Sequence, residues 1–153
     1  MIKNLLDHIE KKNIAFVEHK IPVKDVKGLY FDETIILDQS QIETEAEMAC
    51  ILAEEIGHYE TSVGNILDQD SLKNIKQEKM ARRWAHKKLI PLEKFIDCFK
   101  YGCHNPYEVA EHIGVTSEFL EETVNTYMQI YGRYVVVDDY IIYFDPLGVM
   151  RRL

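Results

Sequence analysis

Apolar residues recur at helical spacing along most of the chain and crowd together, strand-like, in two places. Leu5, Leu6, Ile9 and Phe16 give an irregular apolar face that predicts a helix over residues 3–18. Residues 27–38 read as two short strands around a turn at Asp32-Glu33. Ser40-Gln41-Ile42-Glu43 has the form of a capping box, and Ile42, Ala46, Ala49, Cys50, Ala53 and Ile56 follow at helical intervals, so a buried helix is predicted over 41–59. A loop is expected at 61–70, then helices over 71–89 and 92–101, the first closed by Pro91. Asn105-Pro106-Tyr107-Glu108 opens a helix to Ile113, Gly114 breaks it, and Thr116 caps another that runs to Tyr131 and ends at Gly132. Tyr134–Val137 and Tyr140–Phe144 flank Asp138-Asp139 as a hairpin, and the tail from Met150 is expected to fray. The sum is a mostly helical α+β protein with a small β-sheet, a helix-turn-helix-like segment and a C-terminal hairpin.

Composition narrows the classes. With 153 residues the chain has room for one domain, expected over 1–153 with a core at about 25–131 and the hairpin at about 133–145. The formal net charge of −8 gives a general nucleic-acid binder a low prior. No apolar run approaches the roughly 18 residues of a membrane span, and the N-terminus lacks a signal-like stretch, so a cytoplasmic protein is expected. Cys50, Cys98 and Cys103 form no C-x-x-C pair; Cys50 belongs to an apolar helix face, and Cys98 and Cys103 beside His104 read as a loop coincidence more readily than as a metal site.

One stretch carries candidate chemistry: Ala53-Glu54-Glu55-Ile56-Gly57-His58-Tyr59. Laid on the zincin pattern H-E-x-x-H, its last His is His58, the general base falls on Glu55, and Glu54 occupies the first His position. Residues four apart share a helix face, so Glu54 and His58 can reach one cation. A catalytic zinc asks for three protein ligands and one open position. Glu78, on the helix after the 61–70 loop, is the candidate for the third. Glu55 then stands beside the metal, able to take a proton from its water. The alternative is an acidic, solvated helix face. Against it, Glu54 and Glu55 lie in a helix rich in Ala, Ile, Leu and Cys, and Gly57 costs about 1 kcal/mol in helix propensity, which points to close approach of a backbone or a substrate.

The segment Ile51–Tyr59 resembles the active-site helix of the ImmA/IrrE family of metallopeptidases, which are encoded largely by prophages and other mobile elements. The family's second signature, E-x-x-A-x-x-F-A followed by x-x-x-L-x-P, is matched by Glu78-Lys79-Met80-Ala81-Arg82-Arg83-Trp84-Ala85 through Leu89 and Pro91, with Trp84 in place of Phe. The resemblance covers about residues 25–131. It implies zinc ligands at Glu54, His58 and Glu78, a general base at Glu55, and helix-turn-helix repressors of mobile elements as protein substrates. Glu54 departs from the His of better-known members. Two carboxylates neutralise Zn²⁺, make its water less acidic and let Mn²⁺ compete. A degenerate protein-binding module that docks a repressor without cleaving it is the alternative.

Residues 107–124 match the helix-turn-helix pattern, with Ala110 as the small packing residue and Gly114 at the turn. Between Tyr107 and Tyr131 lie Glu108, Glu111, Glu118, Glu121 and Glu122 and no Lys or Arg. Phosphate contacts supply most DNA affinity, so this charge opposes DNA reading and favours a structural or protein-docking role. The basic residues gather between Lys73 and Lys100, as a solvated helix face or a docking face for an acidic partner. Neither direct nucleic-acid nor membrane partners are expected.

Overall fold

The computed structural model describes residues 1–62 and 71–153, with side chains from residue 74 onward in the second stretch. The expected 61–70 loop falls almost wholly outside the described residues; Thr61 is still helical. The chain divides into two compact units, Met1–Ala85 and His86–Leu153.

The first unit begins with α1 (Ile2–Lys11), which buries Leu5 and Ile9. The helix expected to reach residue 18 stops here. Asn13 turns the chain at φ 55, and residues Ala15–Glu18 form β1 instead, parallel to β3 (Thr34–Leu37). The apolar spacing offered no stripe to prolong the helix beyond Ile9, while Phe16 finds a partner opposite Ile35 in the sheet. Between them in sequence, β2 (Gly28–Phe31) pairs antiparallel with β3, giving the order β1-β3-β2. The two-residue turn lies where expected, with Asp32 and Glu33 both at positive φ (50 and 58), as a type I′ turn requires. Alternation sends Ile35 and Leu37 inward, where both are wholly buried, and leaves Phe31 and Val17 outward and exposed.

Asp38 ends β3 and organises the turn after it. Its carboxylate accepts from the Ile21 amide at 2.9 Å, from the Ser40 amide and hydroxyl at 3.1 and 2.5 Å, and from the Gln41 side chain at 2.9 Å. These donors hold its pKa well below the usual carboxylate range. Ser40 is therefore not a helix cap, as the sequence pattern had it. Residues Gln39–Gln41 form a 3-10 turn, and the helix starts later, as α2 (Glu45–Thr61), with the Thr44 hydroxyl accepting from the Glu47 amide at 3.1 Å. Gln41 braces the preceding loop: its amide nitrogen donates to Val26 O at 2.9 Å and its oxygen accepts from the Asp25 amide at 3.0 Å.

Next comes α3 (Ser71–Leu89). A Cβ built on Gly57 of α2 would sit 2.4 Å from the Ala81 carbonyl oxygen of α3, inside any permitted contact. The glycine thus lets two helix backbones touch, with Ala81 and Ala85 fully buried on the α3 side. Lys76, Lys79 and Arg82 of α3 are exposed, which fits a solvated basic face.

The second unit carries α4 (Leu92–Tyr101), α5 (Pro106–Ile113) and α6 (Ser117–Tyr131). Asn105 and Thr116 cap α5 and α6 as the sequence indicated, and Gly114 turns between them at φ 90. His86 is buried: its Nδ1 lies 2.9 Å from Thr126 Oγ1 and its ring packs edge-on against Phe119. The hairpin of β4 (Tyr134–Val137) and β5 (Tyr140–Phe144) gains a third strand, β6 (Leu147–Arg151), so Met150 and Arg151 of the expected frayed tail are sheet, and Arg152 and Leu153 are not. Val149 and Met150 pair with Ile142 and Ile141, contacts that local periodicity could not reveal. The whole is mostly helical α+β, with two three-stranded sheets among the described residues. No helix among those residues is long and apolar enough to cross a membrane.

Gly57→Ala tests the helix contact. Alanine improves helix propensity by about 1 kcal/mol, but the clash is with backbone and cannot be relieved by a rotamer, so overpacking by about 1–3 kcal/mol should dominate. Thermal unfolding should show a net loss of stability; an unchanged or raised Tm would mean that the helices are not in contact here.

Candidate functional site

A cleft of about 580 Å³ in the first unit is lined by Glu54, Glu55 and His58 of α2, Glu78 of α3 and Tyr30 of β2, with Lys27, Asn74 and Gln77 around them. Its position follows from two close approaches. The Gly57–Ala81 contact brings α3 against α2 one turn from Glu78. On the other side, a Cβ on Gly28 would lie 2.6 Å from Ile51 Cγ2 and 3.3 Å from Glu55 Oε1, so β2 also lies directly on α2. A Cβ at Gly28 would force the Ile51 side chain or the strand to shift.

The four sequence-predicted residues therefore share one cleft but not one environment. Glu55 is buried, beneath β2, and takes a hydrogen bond from the Tyr30 backbone. Burial, then the negative charges of Glu54 and Glu78, push its pKa up to about 8. His58 is half-buried, and its Nε2 stands 3.1 Å from Glu78 Oε1. Glu54 lines the cleft one helical turn before His58.

The donor chemistry, imidazole plus carboxylates, suits a divalent cation. The His58–Glu78 separation is close to the roughly 3.4 Å edge expected between two ligands bound 2.0–2.1 Å from a tetrahedral zinc. Among the described residues no group of three or more His, Cys, Asp or Glu side chains is arranged to hold a metal ion, Cys98, Cys103 and His104 included. The structure thus brings His58 and Glu78, two of the three proposed ligands, into contact and places Glu54 on the same wall.

Sequence reasoning missed Tyr30 and Lys27. The Tyr30 ring lies parallel to the His58 imidazole (interplanar angle 5°, centroids 6.4 Å apart) and meets Tyr59 edge-on. Lys27 pairs with Glu47, tying the strand entrance to the first turn of α2. Both residues come from the β2 segment, whose pairing to α2 is a tertiary fact. The glycine at position 28, in an otherwise bulky strand, was the one local sign of it.

Comparison with known proteins points to the same stretch of chain. The sequence pattern of the peptidase M78 family, the IrrE N-terminal-like domain, matches residues 9–125, more than half of the chain. No curated protein matches it.

The burial of Glu55 has a thermodynamic signature in the metal-free protein. Its folded pKa of about 8 exceeds the ordinary value near 4.3, so between those limits the folded state holds a proton that the unfolded chain has released. This contribution is fully present below about pH 4, decays as pH rises, and is lost by about pH 8, with a slope on the order of 1 kcal/mol per pH unit. With a chelator present, Glu55→Gln should flatten stability against pH over that window and gain most on the wild type at pH 8. Parallel curves for the two proteins would show that Glu55 ionises freely in the fold.

Proposed function

The chain belongs to the peptidase M78 family of IrrE N-terminal-like domains, and from that premise we propose that it is a metal-dependent endopeptidase working at the Glu55 cleft. The observation that carries the reading is the contact of His58 with Glu78 beside a buried Glu55, in a chain of a metallopeptidase-like family.

In this proposal Glu54, His58 and Glu78 hold zinc, with manganese as the competitor that two carboxylate ligands favour. The ion supplies Lewis acidity toward a peptide carbonyl and toward water. Glu55 accepts a proton from the attacking water at its carboxylate and can return it to the leaving amine. Its buried seat excludes competing solvent, and the Tyr30 amide fixes its orientation. The Tyr30 ring lies parallel to the His58 imidazole and lines the same cleft. The substrate we propose is a helix-turn-helix repressor of a mobile element, cleaved in the cytoplasm; this follows from the family resemblance, and the cleft itself is consistent with any extended peptide.

A second reading has one observation in its favour. Glu54 stands where the family pattern has a histidine, and a carboxylate there would suit a module that grips a repressor without cutting it.

Metal content and cleavage separate the two. The purified protein, dialysed against zinc or manganese, should carry about one equivalent of metal and generate new peptide termini in a proteome-derived peptide library analysed by mass spectrometry. Glu55→Gln should retain the metal and lose cleavage by a factor of at least about 10². Glu54→Ala with His58→Ala should lose both. Cleavage surviving in Glu55→Gln would remove that residue from the chemistry, and absence of metal under replete conditions would favour the non-catalytic module.

A further inference from the structure

We propose that a groove on the second unit, between α6 and the β5–β6 turn, is a docking site for a basic amphipathic helix of another protein. The inference stands apart from the peptidase reading, since the groove lies wholly within residues 106–147 and shares no residue with the Glu55 cleft.

The groove has a volume of about 540 Å³. Its floor is closed, with Leu120 and Phe144 each 2% exposed. Its walls are apolar and partly open: Val124 and Met128 on one side and Leu147 on the other are half-buried. Leu120, Val124 and Met128 stand four apart and form a stripe about 12 Å long on α6. At the mouth, Tyr107 is 76% exposed, a large aromatic left in solvent beside an apolar channel. Aromatic side chains in such positions are typical interface anchors, and Met128 adapts its shape to a range of apolar partners.

Charge selects the occupant. Glu121 and Asp145 stand exposed on the rim, and no Lys or Arg occurs from Tyr101 to Gly132. Nucleic acid is repelled by this rim; a segment with Lys or Arg flanking its apolar face is attracted and oriented. The form of the occupant follows from the groove. β5 is the central strand of its sheet, so it offers no free edge for strand addition. The i, i+4, i+8 stripe instead matches a helix laid along it. A second copy of this chain is a poor fit. Its basic helix α3 already buries Ala81, Ala85 and Leu89, and its exposed apolar residues among those described, Ile75 and Met80, are five apart and so face different directions.

The test uses fluorescence anisotropy with the full chain and a labelled Leu/Lys amphipathic peptide about 16 residues long, beside its Leu/Glu counterpart. The Lys peptide should bind and weaken with salt, and the Glu peptide should not bind. Glu121→Lys and Met128→Glu should each weaken binding about tenfold, while Glu111→Lys, the same charge change outside the groove, should stay within about twofold. Thermal melts check that each variant folds. Equal losses in Glu111→Lys and Glu121→Lys would reduce the effect to overall charge and overturn the proposal. So would wild-type self-association that Glu121→Lys abolishes, which assigns the groove to a second copy, or duplex DNA binding that Met128→Glu weakens.

Discussion

The candidate site depends on one contact, the touching backbones of α2 and α3 at Gly57 and Ala81. Helices normally stand 8–10 Å apart, spaced by their side chains. Removing the Cβ at one position and keeping only alanines on the facing helix closes that gap. Glu78 lies three residues before Ala81, close to one helical turn, and His58 directly follows Gly57, so the approach that fits glycine against a carbonyl also sets imidazole against carboxylate. The loss of helix propensity at Gly57 is thus offset by tertiary packing, and the chemistry of the cleft follows from it. The Gly28 contact does the same work on the opposite side, seating β2 on Glu55.

Much of this was legible in the sequence, and the illegible parts share a physical cause. Caps with a polar side chain at fixed spacing, Asn105 and Thr116, were readable because their hydrogen bonds are local. Ser40 misled because a stronger acceptor, Asp38, lies two residues away and recruits its hydroxyl; the same pattern four residues later, at Thr44, was the true cap. The end of α1 and the identity of β1 were missed because Phe16 is stabilised by a residue nineteen positions further on. β6 was missed for the same reason. In the cleft, the residues on α2 and α3 followed from helical spacing, while Tyr30 depends on how a distant strand is laid over the helix. Whether Glu54 joins His58 and Glu78 is a matter of side-chain placement, on which spacing is silent.

The second unit combines a familiar local shape with an acidic surface. The α5–Gly114–α6 arrangement has the helix-turn-helix form that its sequence announced, yet the outward residues of α6 include Glu118, Glu121 and Glu122. Shape alone would invite a search for DNA. The potential over that surface reverses the expectation, and the apolar stripe beside it gives the same helix an alternative purpose.

The brace at Gln41 has a consequence of its own. This side chain holds Asp25 and Val26, two residues of the cleft wall, and Asp38 in turn holds Gln41. That part of the wall is therefore held by a short relay of amides and one carboxylate. Substitution of Gln41 would free Asp25 and Val26 from this hold without altering the donor atoms of Glu54, Glu55, His58 or Glu78.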